Sequence, residues 1–363
     1  VSVSVDRRLV VLLTAAPAYR EEWVDELCEQ LGQRITLVVG SAHFSPGMVT
    51  AISQRPQLRE ASNVFLLRRR FLWQRRVLRA GVGADVAVLE FNPHILSNWA
   101  VLVARRLLRR RTVLWGHAWS RAGRESRSNP LRLFMCRFAN AVVVYTNTGR
   151  DELAVALPSR PVYAAPNAIV RAAEMQPAET QPGAASFIYS GRFVQSKKPE
   201  LALRAFAEII ERLPAKSRLI MIGDGSLRPG LEQQSRNLGI DQRVEFTGTV
   251  FEYEQLRQLY SQSIATLSPG YVGLSMTQSH AFGLPMIYSV DEPHAPEIEA
   301  AREDFNALAF ETDDSAALAA AMLDVADHRE HWIDRRSAIS EACREQYSVE
   351  AMARGFLDAA FGL

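Results

Sequence analysis

Short apolar runs alternate with helix-like patterns along both halves of the chain, as expected of parallel sheets covered by helices. In the first half, Leu9–Leu13, Ile35–Val39, Asp85–Leu89, Thr112–Trp115, Ala141–Val144 and Val162–Ala164 predict strands. In the second, Ser186–Ser190, Arg218–Ile222, Val244–Phe246, Ile264–Leu267 and Met286–Ser289 do so. The intervals read as helices. Over Glu21–Leu31, Trp23, Val24, Leu27, Cys28 and Leu31 recur at three- and four-residue spacing, and Gly32 supplies a C-terminal stop. Ser348–Phe361 predicts a last amphipathic helix, while residues 171–185, rich in Ala, Pro, Gln and Glu without a period, read as a linker. The predicted class is α/β, with two Rossmann-like, doubly wound domains facing a central cleft. They span residues 1–170 and 186–345, and residues 346–363 are expected to pack back towards the first domain. In such sheets ligands sit beyond the carboxyl ends of the strands.

Composition changes this picture little. At 363 residues the chain can bury two cores, and its apolar and charged fractions, 48% and 23%, exclude a disordered or fibrous protein. Cys28, Cys136 and Cys343 form no C-x-x-C pair, which implies a reducing compartment and no structural zinc. Arg7-Arg8 before Leu9–Ala16 imitates a targeting signal, but the run passes directly into an amphipathic helix and reads as a first strand. Ile95–Leu108 is interrupted by Arg105 and Arg106, so no spanning helix is expected. The expected location is cytoplasmic, with peripheral attachment to the inner face of a membrane.

Charge changes it more. The net +2 conceals thirteen arginines against two acids, Asp85 and Glu90, between Ala61 and Arg124. Arg68–Arg79 mixes arginine with Phe71, Leu72, Trp73, Val77 and Leu78, as an interfacial helix on an anionic membrane would. A solvated helix with its aromatic residues turned inward fits equally. No recognition module accompanies the arginines, so nucleic acid is not an expected partner.

The candidate chemistry lies in the second half. The strand ending at Ser190 runs into Gly191, Arg192 and Phe193, then Lys197-Lys198-Pro199 and a helix to about Arg212. Gly191 permits close backbone approach, Pro199 suits a first helical turn, and Arg192 and Lys197 add full charges, so this turn can hold a diphosphate. Surface charges around a turn are the bland alternative. Two more anion-compatible turns follow, Gly223-Asp224-Gly225 and Ser268–Ser275, the latter opening a helix with Gln278 and His280 before Ala281–Ile287. The chain holds no D-x-D triplet, the arrangement expected where a divalent cation bridges a diphosphate, so no metal and no cofactor are expected.

Through G-R-F-V-x-x-K-K-P-E, G-D-G, V-E-F-T-G-T-V and G-L-S…A-F-G-L-P-M-I, the second half resembles the retaining glycosyltransferases of family 4, which have the GT-B fold. The resemblance implies that Arg192 and Lys197 neutralise a donor diphosphate and that amides of Gly273, Leu274 and Ser275 contact it. It adds Gly191, Gly223, Gly248, Gln278 and Glu297 to the donor side. His117, closing a strand in Trp115-Gly116-His117, is expected near the donor sugar. Tyr19 and Arg20, in the first strand-to-helix turn, are expected on the acceptor side. One departure stands out from the family's Glu, seven residues, Glu pattern: the later position is Gln278, and the first Glu is deleted or replaced near Gly270. A polysaccharide-building subgroup shows a similar S-P-G-x-V-G-L loop.

The function implied is transfer, with retention and without metal, of a sugar from a UDP- or GDP-sugar to a glycan or lipid-linked acceptor. Two other classes remain open: a nucleotide-sugar epimerase, which would need no acceptor, and a catalytically silent partner protein, which the missing Glu suggests. A nicotinamide dehydrogenase is disfavoured, because no G-x-G-x-x-G follows either opening strand.

Overall fold

The computed structural model describes residues 6–44, 48–120, 123–179 and 185–363. The chain divides into two compact units, Val1–Ile169 with Val349–Leu363, and Val170–Ser348.

The first unit holds β1 (Leu9–Leu13), β2 (Ile35–Val39), β3 (Leu58–Glu60), β4 (Ser62–Leu66), β5 (Phe71–Arg75), β6 (Val86–Glu90), β7 (Arg111–Trp115), β8 (Ala141–Val144) and β9 (Val162–Ala164). Seven of these form a parallel sheet in the order β3-β2-β1-β6-β7-β8-β9. Helices cover both faces, which is why every residue of β1 is buried and apolar. Leu9, Val11 and Leu13 pack with the helices Glu21–Leu31 and Val349–Phe361, whereas Val10 and Leu12 face the helices Val77–Gly83 and Leu96–Leu107. The C-terminal helix is anchored by Phe356, whose ring lies 5.0 Å from Trp23 and 5.1 Å from Trp115. Arg111 also donates to the carbonyls of Ala359 and Ala360, at 2.7 Å each. The chain builds from β1 outward to β3, then crosses back to β6 and builds the other way, so the topological switch lies between β1 and β6.

The helix expected over Arg68–Arg79 is not formed. Instead β4 and β5 make an antiparallel hairpin, whose turn carries Leu67, Arg68 and Arg69 at φ of 47°, 54° and 65°. The reason is the period. Leu72 and Gln74 are buried while Arg75 is exposed, an alternation of two that suits a strand, and helix begins only at Val77. Leu67 stands 73% exposed at the tip beside three arginines.

The second unit holds β10 (Ser186–Ser190), β11 (Leu219–Ile222), β12 (Val244–Gly248), β13 (Ser263–Ser268), β14 (Met286–Ser289) and β15 (Ala307–Phe310), all parallel, in the order β12-β11-β10-β13-β14-β15. Its switch lies between β10 and β13. The edge strand β15 is absent from the sequence-based expectation, because Ala307–Phe310 is short and follows no strong turn signal. Part of the stretch read as a linker packs on this unit. Met175 and Ala178 are buried, Ala178 N–H donates to Phe282 O at 2.9 Å, and Ala178 O accepts from Arg336 Nη1 at 2.7 Å. Among the described residues no helix is long and apolar enough to cross a membrane.

Candidate functional site

In the second unit the sequence-predicted turns meet at the carboxyl ends of β10, β11 and β13. Their backbones lie in contact. Gly223 has φ of 135°, and a Cβ there would sit 2.0 Å from Gly191 O, so only glycine fits. Gly191 N–H donates to Ile222 O at 2.9 Å and Gly223 N–H to Gly248 O at 2.8 Å, which assigns Gly248 to supporting this turn. The loop after β13 is zipped to the one after β10 by Tyr271 N–H donating to Ser196 O at 2.9 Å. A Cβ on Gly270 would come 2.6 Å from that same oxygen. A glutamate at position 270 would therefore have no room.

The two adjacent lysines part ways. Lys198 ion-pairs with Glu292 and Asp313. Lys197 turns instead to the loop after β13, donating from Nζ to Tyr271 O at 2.5 Å, with the Tyr271 ring centroid 4.6 Å away. Desolvation, reinforced by the charge of Arg192 and opposed by that of Glu297, pushes Lys197 down to about 8. Arg192 itself is exposed, and its carbonyl accepts from Tyr189 Oη at 3.1 Å. A Cβ on Gly273 would lie 3.5 Å from Lys197 Nζ. The N–H groups of Gly273, Leu274 and Ser275 have no partner among the described residues. Three consecutive unused amides beside a half-buried ammonium form an anion seat.

Other members of the set frame this seat. Ser190 Oγ donates to Gln278 Oε1 at 3.4 Å. Glu297 is buried near Lys197. His294 accepts from Val272 N–H at Nδ1, 3.0 Å, and its Nε2 lies 2.9 Å from Ser289 O, so it is a neutral brace of the loop. His280 is buried against Asn306 O, and burial pushes it down to about 4.

In the first unit, the sites again lie at carboxyl ends of strands. His117, exposed after β7, stacks edge-on against Tyr145 at 5.0 Å, and its carbonyl accepts from Arg132 Nη2. Tyr19 is 38% exposed. Arg20 is buried, its guanidinium 4.8 Å from the Trp115 ring, 5.6 Å from Tyr145 and 5.7 Å from Trp23, with Nη1 3.7 Å from Met352 Sδ. Packing therefore occupies Arg20, while Tyr19 presents surface. One group the sequence reasoning passed over is Glu90, closing β6. It accepts from Thr14 N–H at 2.8 Å and Thr14 Oγ1 at 2.9 Å. Desolvation pushes Glu90 up to about 7, against the Thr14 hydrogen bonds and the Arg20 charge. An acid ending the apolar run Val86–Leu89 was the available signal.

Residues 170–346 match the family model for glycosyl transferases group 1. The matched stretch coincides with the second unit to within two residues, so the turns of the anion seat lie within the matched residues. Two curated relatives overlap in part. An uncharacterized glycosyltransferase of Methanocaldococcus jannaschii is 30% identical over 28% of this chain and 26% of its own length. The Campylobacter jejuni alpha-1,4-N-acetyl-D-galactosaminyltransferase that acts on a diphospho-undecaprenol-linked saccharide is 33% identical over 21% and 20%. The chain thus spans about a quarter or less of the length of the curated relatives it matches. Among solved structures, Anabaena HepE in complex with UDP aligns with a TM-score of 0.69 at 14% identity, covering 98% of this chain and 100% of that one. Thermosynechococcus elongatus sucrose-phosphate synthase aligns at 0.63 and 16%, covering 97% and 98%. The fold is GT-B.

Proposed function

We propose that the protein is a retaining, metal-independent glycosyltransferase that moves a sugar from a nucleotide-sugar donor, a UDP-sugar before a GDP-sugar, to a glycan or lipid-linked acceptor. The observation that carries this reading is the set of three unpartnered amides, Gly273 to Ser275, beside the Lys197 ammonium. A diphosphate leaving group gains charge as the glycosidic bond breaks, and fixed donors aimed at it lower the barrier. Lys197, Arg192 and the amides supply that without a cation. Gln278 keeps donors for a ribose hydroxyl. In retention by a front-face route, the departing phosphate takes the acceptor's proton and no protein nucleophile is required. The complexes of HepE with UDP and UDP-glucose support uridine as the first base to try, and the undecaprenol-linked substrate of the Campylobacter relative supports a lipid-linked acceptor.

The test is incubation with UDP-, GDP- and ADP-sugars and an undecaprenyl-diphosphate-linked saccharide in EDTA. Labelled sugar on the acceptor together with released UDP is expected. An epimerised free sugar nucleotide, or no binding of any nucleotide, would contradict the proposal.

Lys197 also sets a pH dependence. Its ammonium is lost from the free protein as pH rises through about 8, and a bound diphosphate raises that pKa. UDP affinity is therefore expected to be highest below about 8 and to fall above it. Calorimetry from pH 6.5 to 9.5 that shows no decline would contradict the assignment.

Membrane attachment is proposed through the hairpin tip, Leu66 to Arg70, rather than a helix. Cosedimentation with phosphatidylglycerol vesicles that weakens as salt rises is expected, and Leu67→Ser is expected to reduce it. Binding indifferent to salt and to lipid charge would remove this attachment.

A further inference from the structure

The switch point of the second unit's sheet, between β10 and β13, carries the Gly191 and Gly270 turns that build the anion seat. The first unit has the same kind of switch between β1 and β6, and two polar side chains stand there, Thr14 and Glu90. By the rule that ligands bind where strand order reverses, this is where the first unit holds its own ligand.

The chemistry of Glu90 supports a ligand with a hydroxyl group. The carboxylate ends a strand whose other four residues are buried and apolar. It has no ion-pair partner among the described residues, and its hydrogen bonds come only from the Thr14 N–H and hydroxyl, at 2.8 to 3.0 Å. A carboxylate accepts about four hydrogen bonds and Thr14 occupies three of those positions, so one on Oε2 is left over. The groups around it are Arg20, from the turn Ala18–Arg20, and Tyr145, which follows β8. Arg20 lies among the Trp115, Tyr145 and Trp23 rings rather than in an ion pair. Desolvation without such compensation costs stability, and side chains kept at that cost cluster at binding sites.

We infer that Thr14 and Glu90 form the seat of an acceptor hydroxyl other than the reacting one, with the Glu90 carboxylate accepting its hydrogen bond and so orienting the acceptor, while the reacting hydroxyl keeps its proton for the departing phosphate. This rests on the glycosyltransferase reading and deepens it. The deprotonated form is required, and because Glu90 titrates near neutral pH, acceptor use rises as pH passes through about 7. The competing role is a staple between β1 and β6. Glu90→Gln separates the two, since the amide oxygen still accepts from Thr14 while the amide nitrogen cannot accept from a substrate hydroxyl.

The experiment compares wild type and Glu90→Gln with a UDP-sugar and an undecaprenyl-diphosphate-linked saccharide, over pH 5.5 to 8.5. For Glu90→Gln, kcat/KM for the acceptor is expected to fall about tenfold to a hundredfold. The rise near pH 7 should vanish, while UDP affinity by calorimetry and melting temperature hold. An active wild type with an unimpaired Glu90→Gln, or a variant that loses UDP affinity in step with transfer, overturns the seat alone. A wild type that neither binds UDP nor releases it overturns the glycosyltransferase reading as well.

Discussion

Lys197→Ala is expected to lower kcat/KM for the donor by about a hundredfold, or ~2.7 kcal/mol of barrier, without lowering the melting temperature. The size follows from where the charge sits. Its Nζ is desolvated, held by Tyr271 O at 2.5 Å beside the amides of Gly273 to Ser275, and such donors are worth far more than exposed ones. Arg192→Ala, removing an exposed guanidinium, is expected to cost about tenfold. The stability sign is opposite to that of an ordinary core substitution. A lysine whose folded pKa is depressed to about 8 binds fewer protons than the unfolded chain between about 8 and its ordinary value near 10.4. Folding stability therefore rises with pH across that window, and the charged form below it is a burden on the fold. Removing the side chain relieves the burden while abolishing the diphosphate contact. Steady-state kinetics with melting curves checks both halves, and an active, destabilised variant would contradict them.

Arg105→Met is expected to destabilise the first unit by about 3 to 5 kcal/mol. Arg105 is fully buried near the end of the helix Leu96–Leu107 and has no carboxylate partner among the described residues. Its charge is spread over backbone oxygens: Nη1 donates to Gly81 O and Ala84 O at 2.8 Å each, and Nη2 to Asp85 O at 3.0 Å and Arg111 O at 2.5 Å. Nε donates to Thr112 Oγ1 at 2.9 Å. One fork thus closes the C-terminal carbonyls of the helix Val77–Gly83 and ties them to the starts of β6 and β7. Burial, with a smaller push from Arg110, brings Arg105 down to about 10, so it stays charged at neutral pH. Methionine fills the volume but leaves those carbonyls without donors, and lysine, with three donors and no fork, cannot replace it. Urea denaturation measures the loss, and a change under about 1 kcal/mol would show that water takes over the carbonyls. UDP binding, proposed for the second unit, should survive wherever the variant is folded.

The turns that meet at the carboxyl ends of β10, β11 and β13 were largely legible in the sequence because each is local. Gly191-Arg192, Gly223-Asp224-Gly225 and Gly273 to Ser275 each announce themselves within a few residues. What divides Lys197 from Lys198 is not local, since Glu292 and Asp313, which hold Lys198, lie about a hundred residues downstream. Arg20 shows the same limit. In sequence it borders a cleft-facing turn, yet its surroundings come from Trp23, Trp115, Tyr145 and Met352, and only the folded sheet assembles them. Glu90 gave a sign, an acid at the end of an apolar run, but its partner Thr14 is 76 residues away. The hairpin Ser62–Arg75 was misread because its mixture of arginine and aromatic residues suggested an interfacial helix, while the two-residue alternation over Phe71–Arg75 pointed to a strand.

Everything proposed for the donor depends on whether the Gly273 to Ser275 amides and Lys197 hold a diphosphate. Titration calorimetry of UDP in EDTA, with wild type and Lys197→Ala at pH 7, measures that contact without any acceptor. Micromolar binding by wild type that weakens at least tenfold in the variant is expected. Equal affinity in the two proteins would contradict it.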